Sequence, residues 1–195
     1  MDKKLIKRNL ILGILFFLPI IFLLFLYPAQ HNYNALDTVN QNILELNGFT
    51  SDSDVDVMLK DHITVIGFLG KRPLEQAIAA SNIKELVYDK FMGFKKFQVV
   101  MVVPNGSEEE TKLLRNEIRT YEELEYWHFV FADDARIKRL YSSIKSDEIL
   151  DNSLASKDVF IVDKELNQRG RIDDRTEKEI EANKPVYPAL GYNSV

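Results

Sequence analysis

The chain has 195 residues, 46% of them hydrophobic and 28% charged, which suits one globular domain with an accessory segment. Beyond residue 27 it is acidic, with 21 Lys and Arg against 29 Asp and Glu, so it lacks the basic surface of a nucleic-acid-binding protein. The absence of cysteine excludes disulfides, thiolate catalysis and a lipoprotein cysteine anchor.

The N-terminus combines a basic segment, residues 1–9, with an uncharged apolar run from Leu10 to Tyr27. As a helix this run is about 27 Å long, which just spans a hydrocarbon core of about 30 Å. It predicts a single transmembrane helix that acts as a signal anchor, and Pro19 is tolerated within such a helix. The positive-inside rule then places residues 1–9 in the cytoplasm and the rest in the periplasm of a bacterial-type inner membrane. A cleaved signal peptide is the alternative.

Residues 28–50 are predicted to form a polar linker, with a weak helical pattern over Thr38–Leu46. Asp52, Asp54 and Asp56 alternate as in a calcium-binding loop, but the positions that need Gly and Glu hold Val57 and Ile63. We therefore interpret this cluster as a solvated turn before the first strand.

The domain, residues 51–175, alternates strands and helices. Its most informative stretch is HITVIGFLGKRPLEQ, residues 62–76, in which a buried strand ends in a turn and a helix begins near Pro73. A capping box of Ser107 with Glu110 predicts a second helix, and Asp133 or Asp134 caps a third. The predicted strands cover residues 63–69, 96–103, 126–132, 158–163 and 168–172.

This order, β-α-β-α-β-α-β-β behind one N-terminal transmembrane helix, predicts an α/β fold with a thioredoxin-like mixed sheet. A helix normally follows the final hairpin of that fold and covers one sheet face. The polar tail, residues 176–195, offers only a short helix over Thr176–Ala182. The chain is therefore expected to be truncated there, or to have that face covered by a partner or by the N-terminal segment.

Three phrases resemble the Sco/SenC branch of the thioredoxin-like superfamily, whose membrane-anchored members deliver copper during cytochrome oxidase assembly. They are ITVIGFLG in the first strand, DDARIKRLY in the third helix and DVFIVDKELNQRGRI in the hairpin. The resemblance covers roughly residues 50–172 and implies a thioredoxin-like fold with a single N-terminal anchor.

The copper ligands of that branch have no counterpart here. The resemblance implies a CxxxC pair within Gly70–Gln76 and a histidine near Leu154–Ser156, and neither is present. Lys, Arg and Gln cannot replace thiolate as a soft ligand or a nucleophile. Thiol exchange and copper delivery by that site are therefore not expected, and no cofactor is predicted.

Two weaker candidate sites remain. His62 and His128 are predicted to approach one another, on the premise that the first and third strands are neighbours, and could ligate a metal with further partners. Lys71 and Arg72 lie at a predicted helix N-terminus, where backbone N–H groups favour an anion or an acidic partner.

The sequence favours a non-catalytic, membrane-anchored module that binds or assembles a protein partner, and the resemblance adds respiratory-complex biogenesis as its setting. One alternative is an enzyme or metal carrier with a non-thiol site. The other is a truncated copy without function, which would expose a large apolar sheet face.

Overall fold

The computed structural model describes residues 3–26, 35–53, 55–119, 123–173 and 175–194. The chain divides into two compact units, Met1–Ala35 and Leu36–Val195. Residues 36–50, for which a linker is predicted, belong to the second unit.

The first unit contains one helix, α1 (Lys3–Leu26), with Pro19 inside it. Within α1, the segment Ile6–Leu24 is long and apolar enough to cross a membrane, and none of it is buried in the protein. A signal sequence would have the same properties. The helix begins before the predicted start at Leu10, and the predicted end at Tyr27 lies outside the described residues.

The strands of the second unit are β1 (Asp37–Asn40), β2 (Thr50–Ser51), β3 (Ile63–Phe68), β4 (Phe97–Pro104), β5 (Trp127–Ala132), β6 (Asp158–Val162), β7 (Gln168–Gly170) and β8 (Tyr192–Asn193). They form one mixed sheet in the order β1-β7-β6-β3-β4-β5-β2, with β8 added to β6. The neighbouring strands β3, β4 and β5 are parallel, and β6 and β7 form an antiparallel hairpin. This arrangement confirms the predicted thioredoxin-like mixed sheet.

The helices connect the strands as the alternation predicts, although the first connection is irregular. It consists of a 3-10 turn (Pro73–Gln76), α2 (Ala77–Ile83), a π-helical turn (Lys84–Tyr88) and α3 (Asp89–Phe91). The remaining helices are α4 (Glu108–Ile118), α5 (Asp134–Ser142) and α6 (Glu177–Glu181).

One predicted helix cap is correct and another is wrong. The Asp133 side chain caps α5 by accepting a hydrogen bond from the backbone N–H of Arg136. Ser107 precedes α4, but its hydroxyl donates to the carbonyl of Lys71 (2.9 Å) instead of forming a capping box with Glu110. Glu108 takes part of that role, because its carboxylate accepts from the backbone N–H of Gly106 (3.0 Å).

The segment before β3 is not the weak helix predicted over Thr38–Leu46. Its first part is β1, which pairs antiparallel with β7. The chain then crosses the sheet without regular structure, burying Ile43 and Leu46 (2% and 5% exposed). Sequence spacing alone suggested a helix because Val39, Ile43 and Leu46 also match a helical period.

Two apolar layers enclose the sheet. On one face residues 43–49 and 57–59, together with α5, pack over residues such as Ile66 and Val100. On the other, α2, α4 and Tyr88 pack over residues such as Val99 and Trp127. Both faces are therefore covered, as in the predicted alternative in which the N-terminal segment supplies the cover.

The C-terminal segment also returns to the sheet. The predicted short helix is present as α6, with a capping box between Thr176 and Glu179. After it, β8 pairs with the start of β6, and the buried Leu190 accepts a hydrogen bond at its carbonyl from Gln168 (2.8 Å). Tyr192 packs against the apolar layer that contains α2 and α4.

Candidate functional site

The candidate site lies where the C-terminal ends of β3, β4 and β5 meet, the edge at which ligands bind in open α/β sheets. Gly70 begins the loop after β3 with a φ of +72°. A Cβ at that position would lie 2.6 Å from the Ser153 hydroxyl and 2.8 Å from the Ser153 carbonyl oxygen. The next residue, Lys71, donates its backbone N–H to the same carbonyl (2.9 Å). The loop after β3 is therefore seated directly on the loop before β6.

Asp151 organises that second loop. One of its carboxylate oxygens accepts hydrogen bonds from the backbone N–H of Ser153 (2.8 Å), the Ser153 hydroxyl (2.7 Å) and the backbone N–H of Ala155 (2.8 Å). Burial raises the pKa of the Asp151 carboxyl, but the hydrogen bonds from Ser153 and Ala155 together outweigh it and hold the pKa below its usual value. The ionised carboxylate thus stabilises the loop.

The structure brings Lys71 and Arg72 to this edge and gives each a carboxylate partner. The Lys71 ammonium lies 3.1 Å from Asp134 at the start of α5, and the Arg72 guanidinium lies 2.7 Å from Glu75. Pro73, which starts the following 3-10 turn, has no backbone N–H to offer. The anion site predicted at Lys71 and Arg72 therefore already contains two internal carboxylates, with which an incoming anion would compete.

Two adjoining clefts open on either side of Lys71. The larger, about 680 Å³, lies between α5 and residues 144–154, and the smaller, about 420 Å³, lies between the 3-10 turn and residues 151–153. Lys71, Asp151 and Asn152 line both clefts, and we call the surface formed by the two clefts and their rims the cleft edge.

Ile149, on the rim of the larger cleft, is the most exposed large hydrophobic residue of the described part of the domain, at 88%. The loop that carries Ile149 is fixed to α5, because the Tyr141 hydroxyl donates to the Glu148 carbonyl (3.0 Å) and contacts the Ser146 hydroxyl (3.1 Å). Sequence reasoning missed Ile149. The available signal was an Ile-Leu pair inside an otherwise polar connection, residues 145–157.

The structure corrects the premise that brought His62 and His128 together. β4 lies between β3 and β5, so the first and third predicted strands are not neighbours. The His62 ring lies 3.0 Å from the Lys60 carbonyl oxygen, in the turn before β3. His128 lies in β5 and is 9% exposed. Burial lowers the pKa of His128, as do Arg115 and His62, against an opposing effect of Asp52. Among the described residues, no three or more His, Asp or Glu side chains form a group suited to a metal ion.

Asp52 lies in the predicted solvated turn and is an exposed residue, but its side chain is only 16% exposed and forms contacts at the outer edge of the sheet. Its carboxylate accepts from Nη2 and Nε of Arg115 (2.6 and 2.9 Å) and from the backbone N–H of Phe129 (3.1 Å). The Arg115 guanidinium also lies 5.2 Å from the centre of the Phe129 ring. These contacts hold the two-residue strand β2 against α4 and β5. Asp54, from the same predicted cluster, lies outside the described residues.

Comparison with known proteins found no matching family model and no matching curated protein. Solved structures similar to this chain include the soluble domain of Sco1 from Bacillus subtilis, at 11% identity and a TM-score of 0.47 over 71% of this chain and 84% of that one. They include an uncharacterized conserved protein from Geobacillus kaustophilus, at 19% identity and a TM-score of 0.45 over 80% and 77% of the two chains.

A yeast mitochondrial 1-Cys peroxiredoxin is also similar, at 13% identity and a TM-score of 0.43 over 68% of this chain and 64% of that one. A Sco protein, the type that the sequence phrases resemble, is thus among the solved structures similar to this chain. Identities this low transfer no activity, and the description of the fold rests on the sheet order of the chain itself.

Proposed function

We propose that this chain is a membrane-anchored, non-catalytic module that binds a protein partner at the cleft edge around Ile149. The observation that carries the proposal is an 88% exposed isoleucine on a loop held by its own hydrogen bonds, beside a cleft of about 680 Å³. A large apolar side chain presented on an ordered rim is the kind of anchor that protein interfaces bury.

The chemistry of the same edge supports binding over catalysis. The chain has no cysteine, so the position at which thioredoxin-like enzymes carry a thiol holds Lys71 and Arg72 instead. Both cations are engaged by carboxylates, and Asp151 is committed to its own loop. These contacts favour a rigid docking surface over a reactive centre.

The proposed location and the proposed partner rest on the N-terminal segment and on the sequence resemblance, respectively. The segment Ile6–Leu24 is long and apolar enough to anchor the chain in a membrane, and the basic residues lie before it or in its first three positions. We therefore place the domain on the periplasmic side of an inner membrane. The Sco-like phrases in β3, α5 and the β6–β7 hairpin make a factor or subunit of respiratory-complex assembly the expected partner.

The test is a mild-detergent pull-down of the full-length protein from its native membrane, read by mass spectrometry. The wild-type chain is compared with Ile149→Asp and with Leu113→Asp, a matched control because Leu113 is 57% exposed on α4 and lines neither cleft. We expect oxidase subunits or their assembly factors with the wild-type and Leu113→Asp chains. Their recovery should fall at least ten-fold with Ile149→Asp, as for an interface anchor.

Two results would overturn the proposal. Equal recovery of those proteins with Ile149→Asp would remove the cleft edge from the interface. Recovery of nothing above background with the wild-type chain would remove the assembly partner.

A further inference from the structure

The opposite end of the parallel strands carries a second exposed surface, which we call the basic-aromatic end. Its main part is the sequence KFMGFKKF, Lys90–Phe97, which runs from α3 into β4 and contains three lysines and no acidic residue. Ile63, at the start of β3, and Tyr126, just before β5, lie at the same end of the sheet.

Backbone hydrogen bonds fold this segment into one compact turn. Phe94 donates to the Phe91 carbonyl (2.9 Å), Phe97 donates to the Phe94 carbonyl (3.1 Å), and Ile63 donates to the Lys96 carbonyl (2.8 Å). The Phe91 ring lies 5.7 Å from that of Phe94 and 5.8 Å from that of Phe97, measured between ring centres. Phe91 and Phe94 therefore form one exposed patch anchored on the buried ring of Phe97, with Ile63 hydrogen-bonded beside it and Tyr126 at the same end of the sheet.

That patch is unusually open for side chains of its size. Phe94 is 63% exposed, Phe91 45%, Ile63 41% and Tyr126 40%. Single exposed apolar residues are ordinary on protein surfaces, but a contiguous group that includes two phenylalanines marks an interaction surface.

The lysines around the patch are exposed and form no ion pair within the described part of the chain, in contrast to the cations of the cleft edge. They are Lys90, Lys95 and Lys96. The acidic residues closest in sequence to Lys90–Phe97 are Asp89, which is paired with Lys84, and the exposed Glu85. Two further exposed acidic residues adjoin the rest of the surface: Asp61 lies two residues before Ile63, and Glu125 directly precedes Tyr126. The positive charge of the basic-aromatic end is thus concentrated on Lys90–Phe97, which carries three lysines and no carboxylate on a domain that is acidic overall.

We propose that the basic-aromatic end docks on an anionic lipid surface. Aromatic rings insert at the headgroup level of a bilayer, and nearby lysines are attracted to anionic headgroups, which together matches this patch. An acidic domain as a whole is repelled by such a surface, and the three lysines of Lys90–Phe97 offset that repulsion at this segment. The same chain carries Ile6–Leu24, which is long and apolar enough to cross a membrane.

Docking at this end would orient the domain. Because the basic-aromatic end and the Lys71 cleft edge lie at opposite ends of the parallel strands, lipid contact at one directs the other away from the bilayer. The inference does not depend on the proposed partner and is tested separately.

The experiment uses the full-length chain in nanodiscs of phosphatidylcholine, with or without anionic phosphatidylglycerol. The chain has no cysteine, so Gly93→Cys introduces a single site for a spin label, and a Cβ there meets no atom within 4 Å. Asn105→Cys, beyond the other end of β4, is the matched control position. The readout is collision of the label with a water-soluble relaxation agent.

We expect the label at position 93 to be shielded in the anionic nanodiscs but not in pure phosphatidylcholine, and the label at position 105 to be accessible in both. Each lysine near an anionic surface contributes about a five-fold preference, so replacing Lys90, Lys95 and Lys96 by Gln should lower the ratio of docked to free domain about 100-fold. High salt should have a similar effect.

Equal accessibility of position 93 in both lipids would overturn the proposal. Shielding that ignores lipid charge, or that grows with the number of chains per nanodisc, would also overturn it and would identify a protein surface or a second copy as the occupant.

Discussion

The two ends of the parallel strands are built from different interactions. At the cleft edge, the loops around Gly70 and Asp151 are bonded to one another, and Lys71 and Arg72 are each paired with a carboxylate. At the basic-aromatic end, Lys90–Phe97 forms a tight turn whose lysines have no ion pair in the described structure and in which Phe91 and Phe94 are 45% and 63% exposed. One end satisfies its polar groups internally, whereas the other presents its groups to the surroundings.

The contacts at the cleft edge make that part of the fold rigid, whereas the groups at the basic-aromatic end are available to bind other molecules. A substitution at the cleft edge should change the stability of the domain, because its groups are used within the fold. A substitution at the basic-aromatic end should leave stability almost unchanged and alter only what binds there. The following predictions test that contrast on the full-length chain in detergent.

The largest expected effect is that of Gly70→Ala. The alanine would have to adopt a φ of +72°, with its Cβ 2.8 Å from the Ser153 carbonyl oxygen and 3.0 Å from the Ala155 Cβ. We expect a loss of about 3 kcal/mol in the free energy of unfolding, from backbone strain together with displacement of the 151–155 loop. Urea unfolding measures it. Gly93→Ala is the control, since its Cβ enters open space and should change stability by less than about 0.5 kcal/mol.

The second effect is that of Asp151→Ala, which removes the acceptor for two backbone N–H groups and one hydroxyl. We expect a loss of about 2 kcal/mol near neutral pH, because the N–H of the buried Ala155 is left unsatisfied. Equal stability of the wild-type and Asp151→Ala chains at neutral pH would contradict this account of the loop.

The difference in stability between the wild-type and Asp151→Ala chains should depend on pH. The folded-state pKa of Asp151 lies below the usual value of 3.8, so its contribution is fully present above about pH 4. It is lost as the pH falls through the lower folded-state pKa, where the carboxyl takes up a proton. Unfolding curves of the wild-type and Asp151→Ala chains should therefore converge in acid, and a difference that persists there would assign the effect to packing instead.

The smallest effect is that of Lys71→Ala. Its ion pair with Asp134 is half exposed, with side-chain exposures of 52% and 51%, so we expect a loss of about 0.5 kcal/mol or less, which salt should screen. Lys95→Ala, which breaks no ion pair among the described residues, should cause no measurable loss at any salt concentration. A clear salt-dependent loss at Lys95 would show that the two ends are less different than their contacts indicate.

Much of the domain was predictable from local pattern. The continuous apolar run over β4 indicated a strand buried on both faces, and position alone narrowed the cap of α5 to Asp133 or Asp134, of which Asp133 is the cap. These predictions hold because a buried strand and a capped helix depend mainly on residues close together in sequence.

The candidate site was less predictable, because its contacts join distant residues. The pairing of Lys71 with Asp134, and the seating of Gly70 on Ser153, connect segments that are more than 60 residues apart in the sequence. The role of Asp52 was hidden for the same reason, since its partner Arg115 lies on another element. No spacing rule reports contacts of this kind.

By itself, the sequence determined the apolar N-terminal helix, the alternation of strands and helices, and the absence of a thiol at the usual reactive position. Only the tertiary structure decided that β4 separates β3, which His62 precedes, from β5, which contains His128. It also decided that the segment before β3 covers a sheet face and that the cations of the cleft edge are internally paired. The physical reason is that periodicity records which side chains prefer to be buried, whereas strand order and ion pairing depend on which distant segments meet.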